Sequence, residues 1–315
     1  MKLLAFALLL VATSAAAQPW PAKPIRMVVP FAPGGPVDVV ARLISPKLSE
    51  ALGQPIVIEN KTGAGGNLGV REVAKAAPDG YTVLATSSSF AVNPSLSADA
   101  GYDGNRDFIA VAVVASQPNV IVVNSNFQAK SLAELLQMAR TSKLAFASPS
   151  SGTTPHLTAE NLFKVRAKVD ITHIPFRGAG PAAAAVLTGE PPIGSMAGTA
   201  PMPHIKSGKM RALAVSSSRR VAQLPDVPTL TELGYPDMED YTWVGIFLPA
   251  GTPAEIAQRL NQTVLRAVQS PEVRERLEAL LFEITAAPMR ETADYVRAEL
   301  VKWAKVVKDT GAKAE

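Results

Sequence analysis

The sequence contains no cysteine, which excludes a disulfide framework and a lipid anchor carried on a cysteine. Histidine is almost as scarce. His156, His173 and His204 are the three in the chain, and they form no HExxH or other clustered metal-ligand spacing. Aromatic residues make up only 6% and show no base-stacking pattern. The 31 Lys and Arg exceed the 27 Asp and Glu by a formal +4 and are scattered along the chain, so no nucleic-acid footprint is drawn. Beyond the N-terminus no segment reaches the ~18 uninterrupted apolar residues of a membrane span. The longest, Phe108 to Val123, is interrupted by Gln117, Pro118 and Asn119.

What is present begins with an export signal. Lys2 is followed by the apolar run Leu3 to Ala12 and by Thr13-Ser14-Ala15-Ala16-Ala17, the charge, apolar core and small-residue site of a secretory leader. Cleavage after Ala17 is expected; the alternative is an uncleaved signal anchor. The 315 residues, 47% of them hydrophobic, are enough for one large or two ordinary domains with real cores.

Hydrophobic patterning alternates between strand and helix. Strand Ile25 to Val29 leads through a Pro/Gly loop into a helix over Val37 to Leu52, stopped by Gly53. Strand Pro55 to Glu59, the loop Gly63 to Asn67, a short helix to about Lys75 and strand Tyr81 to Ala85 follow. Strand-like segments Ala110 to Ala115 and Val120 to Val123 close a first unit. A second repeats the plan, with helix Leu132 to Thr141, strand Leu144 to Ala147, helix His156 to Phe163, strand Ile171 to Ile174, helix Ala182 to Thr188 and strand Arg211 to Val215. Such order predicts an α/β fold whose mostly parallel sheet is covered by helices on both faces. Thr229 with Glu232 and Thr252 with Glu255 are spaced as capping boxes.

One internal echo bears on function. Pro30-Phe31-Ala32-Pro33-Gly34-Gly35-Pro36 and Pro175-Phe176-Arg177-Gly178-Ala179-Gly180-Pro181 both open on Pro-Phe and close on Gly-Pro, each between a strand and a helix. Glycine lets the backbone approach a ligand, and proline suits the first helical residue. Each bend would present bare amides at a helix N-terminus, which attracts anions. Facing each other, the two would clamp a carboxylate; otherwise both are tight turns of an α/β fold. Asp38 lies in the first turn of its helix, where helix-start electrostatics favour an acid. Ser87 and Ser88 end a strand at the sheet edge where small ligands sit, and Ser150, Ser151 and Thr153 precede a helix start as donors or caps. Arg177 serves the carboxylate or a structural or interface role.

Enzyme signatures are weak. Gly63, Gly65 and Gly69 follow a strand, but the next strand ends in Thr86-Ser87-Ser88 and not in the acid a dinucleotide ribose needs. There is no phosphate-loop lysine and no GxSxG elbow. Ser150 or Ser151 with His156 is the one conceivable hydrolase arrangement.

The ordered set Lys23-Pro24-Ile25-Arg26, Val29 to Gly35 with Asp38 and Ala41-Arg42, Leu52-Gly53-Gln54, Glu59-Asn60, Gly63 to Asn67 with Gly69, and Ala77 to Thr82 resembles the Bug family of periplasmic solute receptors. So do Asn93-Pro94, Tyr102-Asp103, Asp107-Phe108, His156-Leu157 with Glu160, Phe176-Arg177-Gly178, Gly208-Lys209, Arg211 to Val215, Leu224 to Thr229 and Pro249 to Pro253. These receptors are the binding components of tripartite tricarboxylate transporters. The resemblance implies two doubly wound α/β domains of the type II periplasmic-binding-protein kind with a ligand cleft between them. Domain 1 would take residues 18–124 and 241–315, and domain 2 residues 125–240. It implies a periplasmic monomer that binds a small di- or tricarboxylate, amino acid or aromatic acid through the loops Phe31 to Gly35 and Phe176 to Pro181, with Asp38 binding an amino or hydroxyl group of the ligand. No cofactor, metal or catalytic residue is expected. The partner would be a two-subunit integral membrane permease, or else a signalling protein. Family members usually carry an aromatic residue and Asp where Ser195-Met196 stand, Arg-Pro where Lys61-Thr62 stand, and Tyr in place of Phe176. A distal pocket reshaped over Ser195 to Gly198, with Met196 in the ligand site, is therefore expected.

Overall fold

A computed structural model describes residues 20–313; the expected leader at residues 1–17 lies outside the described residues. The first part runs β1 (Ile25–Val29), α1 (Pro36–Leu52), β2 (Ile56–Asn60), α2 (Asn67–Ala74), β3 (Thr82–Ser87) and α3 (Ser89–Leu96), then β4 (Phe108–Asn124). The second runs α4 (Leu132–Ala139), β5 (Leu144–Ser148), α5 (Thr154–Glu160), β6 (Ile171–Pro175), α6 (Ala179–Thr188), β7 (Ile193–Ala197), α7 (Met202–Lys206) and β8 (Met210–Val215). The chain then returns through β9 (Tyr241–Pro249), α8 (Ala254–Gln269), α9 (Pro271–Ala279), β10 (Glu283–Ile284) and α10 (Met289–Thr310).

All these strands join one curled sheet in the order β2-β1-β3-β9-β4-β7-β5-β6, with β8 and β10 also paired to β4. The outer triplets β2-β1-β3 and β7-β5-β6 are parallel, while β9 and β4 run antiparallel to their neighbours. The sheet is thus mixed where it crosses the middle of the molecule. Helices cover both faces of each half. In β4, Ile121 and Val123 pack into one core and Val120 and Val122 into the core on the opposite face, as a pleat of period two demands. Leu157 of α5 enters a core of the first half and Leu281, after α9, enters one of the second.

The two segments expected around residues 110–123 are one strand. Gln117-Pro118-Asn119 do not break it, because the strand changes partners there. Up to Pro118 it pairs with β9, and from Asn119 with β7 and β8. The Pro118 carbonyl accepts from the Gly198 amide at 3.1 Å, and the Asn119 amide donates to Ser216 Oγ at 2.9 Å. Thr229 and Glu232 do form a reciprocal capping box, but only a turn follows it. Thr252 forms none: its hydroxyl donates to the Pro249 carbonyl at 2.8 Å.

Candidate functional site

A cleft of about 440 Å³ is lined from both halves of the sheet. From the first come Pro30, Phe31, Ala32, Gly35, Pro36, Val37, the loop Thr62–Gly66, Ser87 and Thr242. From the second come Pro149, Ser150, Thr153, Pro155, Phe176, Arg177, Gly178, Ala179 and Ala197.

The β1–α1 bend takes its shape from Asp38. Its carboxylate accepts from the Gly34 amide, Arg42 Nε and Asn60 Nδ2, each at 2.9 Å, and Asn60 Nδ2 also reaches the Phe31 carbonyl at 2.9 Å. Burial raises the Asp38 pKa, but Arg42, Gly34 and Asn60 outweigh it and hold the carboxyl below its usual range. The β6–α6 bend hangs from the strand beside it, with the Phe176 amide on the Ser148 carbonyl (3.0 Å) and the Gly178 amide on the Pro149 carbonyl (2.8 Å). Gly178 has φ 122° and ψ 170°, a conformation essentially confined to glycine. A methyl group on Gly178 would stand 3.5 Å from the Ala32 side chain, so the bends oppose each other at contact distance.

Both bends leave helix amides free. The first backbone bond of α1 runs from Val39 to Gly35 and that of α6 from Ala182 to Gly178. Pro36 and Pro181 have no N–H, which leaves the amides of Val37 and Asp38, and of Ala179 and Gly180, ahead of those bonds. Each helix adds roughly half a positive charge at that end. Arg177 is the single ionisable side chain in the lining.

Of the residues singled out in the sequence, Phe31, Ala32, Gly35, Ser87, Ser150, Thr153, Phe176, Arg177, Gly178 and Ala179 are brought together here. Pro33, Gly34, Asp38, Ser88, Ser151, Gly180, Pro181 and Met196 lie outside the lining. The Gly34 amide and the Asp38 carboxylate are spent on each other, and Ser88 Oγ is 2.9 Å from Thr154 Oγ1. Met196 is fully buried in the core behind β7 with Val120, Val122 and Val186. Alternation along β7 gives Ala197 to the cleft and turns Met196 away from it.

Several lining residues carried little or no sequence signal as a site. The Thr62–Gly66 loop was visible as a glycine cluster. Gly65 and Gly66 take φ 63° and 99°, and a side chain on Gly66 would meet the Phe31 ring at 3.1 Å. Pro149, Pro155, Ala197 and Thr242 have no local signature.

The conceivable hydrolase arrangement is not assembled. His156 Nδ1 accepts from the Gly152 amide at 3.3 Å, not from a serine hydroxyl, and its ring stacks on His173 at 3.9 Å. His173 Nε2 lies 2.7 Å from Ser148 Oγ. Burial pushes the pKa of His156 down to about 3 and that of His173 to about 4, with His173 and Lys164 adding to the first and Lys164 to the second. Where β4 and β9 cross between halves, Thr242 Oγ1 donates to Asn119 Oδ1 (2.8 Å), and Asn119 Nδ2 donates to Asp240 Oδ1 (2.7 Å). Burial raises the Asp240 pKa to about 6 against the opposing pull of Lys302, Thr158, Asn119 and Ser216. Among the described residues no three His, Cys, Asp or Glu are grouped to hold a metal ion, and no helix is long and apolar enough to cross a membrane.

Comparison with known proteins follows the same lines. A model of the tripartite tricarboxylate transporter family receptor matches residues 40–312. Protein BugT of Bordetella pertussis is 39% identical over 321 residues, covering 99% of this chain and 98% of BugT. Rpa4515 of R. palustris, solved with adipate, superposes with TM-score 0.88 at 33% identity over 93% of this chain and 99% of its own. MatC of Rhodopseudomonas palustris, solved with malate, gives TM-score 0.84 at 34% identity over 91% and 100%. The fold is the α/β fold of those solute-binding proteins.

Proposed function

The chain belongs to the tripartite tricarboxylate transporter receptor family, and from that membership we propose that it is a periplasmic receptor that captures a small carboxylated ligand and releases it unchanged to a two-subunit membrane permease. Residues 18–124 with 241–315 would form one lobe and residues 125–240 the other. The lobes would move about the crossing strands β4 and β9 as the ligand is enclosed. Residues 1–17 would be the export leader, and the receptor would act as a monomer.

The observation that carries this reading is the pair of opposed bends, one from each half, which bring the helix starts at Val37 and Ala179 into the lining of one cleft. Each charge-assisted hydrogen bond contributes about 1.5–3 kcal/mol and each helix terminus about 0.3–2 kcal/mol. A micromolar site requires about 8 kcal/mol net of association costs. Several such bonds supply that without a buried cation.

The test is calorimetry and thermal shift with a panel of mono- and dicarboxylates, amino acids and aromatic acids, each recovered and analysed afterwards. Micromolar binding of an unaltered acid is expected. Gly178→Val should lower that affinity at least about tenfold while circular dichroism reports a folded chain. Conversion of the acid, or undiminished affinity in a folded Gly178→Val variant, refutes the proposal.

A further inference from the structure

Resting on that receptor reading, we propose that the cleft selects a monocarboxylate with an apolar body and a neutral hydrogen-bond donor, such as a hydroxyl, at its far end. It would discriminate against amino acids and against acids that place a second carboxylate there.

Charge decides the first exclusion. An ammonium group entering the cleft meets no carboxylate, since Arg177 is the only ionisable lining side chain. Asp38, the nearest acid in the chain to the bend, is outside the lining and already accepts from three donors. A cation desolvated there would be unpaired, which is costly. The positive helix ends add to that cost.

Proton accounting decides the second. The end of β3 and the start of β9, which pair with each other, offer two hydroxyls in the lining, Ser87 and Thr242. Ser87 Oγ donates to Ser89 Oγ at 3.1 Å and accepts from the Ser89 amide at 3.4 Å, and Thr242 Oγ1 donates to Asn119 Oδ1 at 2.8 Å and accepts from Thr154 Oγ1 at 2.8 Å, so each keeps one lone pair for the cleft. On the flank, Thr153 Oγ1 donates to the Ser150 carbonyl at 2.8 Å. A hydroxyl has one proton and two lone pairs. With the protons of these three committed inside the protein, their oxygens have only lone pairs left for the ligand, whereas Thr62 and Ser150, also in the lining, keep their hydroxyl protons for the anchoring carboxylate. A second carboxylate would face acceptors across from its own oxygens, whereas a ligand hydroxyl would find acceptors in place. The lining also carries an apolar surface, from Phe31, Val37, Phe176, Pro155 and Ala197, which suits a hydrocarbon or aromatic body.

The test compares three acids that share one ring and one anchoring carboxylate: benzoate, 4-hydroxybenzoate and terephthalate, with L-glutamate and adipate alongside, by calorimetry on the intact protein. Binding of 4-hydroxybenzoate is expected to be at least about tenfold tighter than that of terephthalate, adipate or L-glutamate and tighter than that of benzoate. In Ser87→Ala the preference for 4-hydroxybenzoate over benzoate should shrink. Terephthalate, adipate or glutamate binding as well as 4-hydroxybenzoate overturns this assignment and leaves the receptor reading standing. An unshifted hydroxybenzoate-to-benzoate ratio in Ser87→Ala also overturns it. If none of these acids nor any of the wider panel binds, the receptor reading itself fails.

Discussion

Acidification from pH 7 to pH 5 should cost the protein about 2 to 3 kcal/mol of stability, and most of that loss traces to the stacked pair His156 and His173. Their pKa values are depressed by burial to about 3 and about 4, from an ordinary 6.5. A base whose folded value is depressed takes up its proton in the unfolded chain first, so its contribution is present above 6.5 and is lost as pH falls toward the folded value. At pH 5 protonation favours the unfolded state by about 2 kcal/mol per histidine, hence about 4 kcal/mol for the pair. Asp240 works in the other direction. Its raised value of about 6 means that the folded state binds the proton first, which returns a little over 1 kcal/mol across the same interval. Asp38, Asp107, Glu59 and Glu232, all held below the usual carboxylate range, titrate below the window. Urea unfolding at pH 7 and pH 5, at one ionic strength and with linear extrapolation, measures the difference. His173→Gln should reduce the acid loss by about 2 kcal/mol. Equal stability at the two pH values, or an unchanged acid loss in His173→Gln, refutes the reasoning. Because protonated His156 cannot accept from the Gly152 amide, the Ser150–Thr153 wall of the cleft is where hydrogen exchange should first accelerate in acid.

Asp38→Ala deprives the Gly34 amide, Asn60 and Arg42 of their common acceptor and should cost about 3 kcal/mol by urea unfolding; a change under about 0.5 kcal/mol would show that the bend holds itself. Asp240→Asn keeps an acceptor for Asn119 and Thr158 but removes the proton uptake near pH 6, so its stability loss from pH 7 to pH 5 should exceed the parent's by about 1 kcal/mol. An identical pH profile would mean that Asp240 does not titrate there.

The strand–helix alternation, the two Pro/Gly bends and their helix starts were readable because each is a local property: period-two or helical apolar spacing, proline where an amide is dispensable, and glycine where φ turns positive. Strand β7 was not readable, since Gly194 and Ser195 interrupt a run that is a strand only because it is buried between β4 and β5. The same limit split β4 at Pro118, whose role as a crossing point depends on Tyr241, far along the chain.

Family membership was legible as well, because it rests on an ordered set of such local motifs. The site was legible only in part. Local chemistry marked Phe31 to Gly35 and Phe176 to Pro181 as bends, but it could not show that Asp38 would consume the Gly34 amide or that Met196 would face the core. Nor could it show that Thr242, Pro155 and Ala197 would meet in one cleft. Those outcomes depend on which donor finds which acceptor, and on which face of a strand is covered. In a close-packed interior both are decided by neighbours distant in sequence, so the sequence alone determined where amides could be offered, and the tertiary structure decided which remained free.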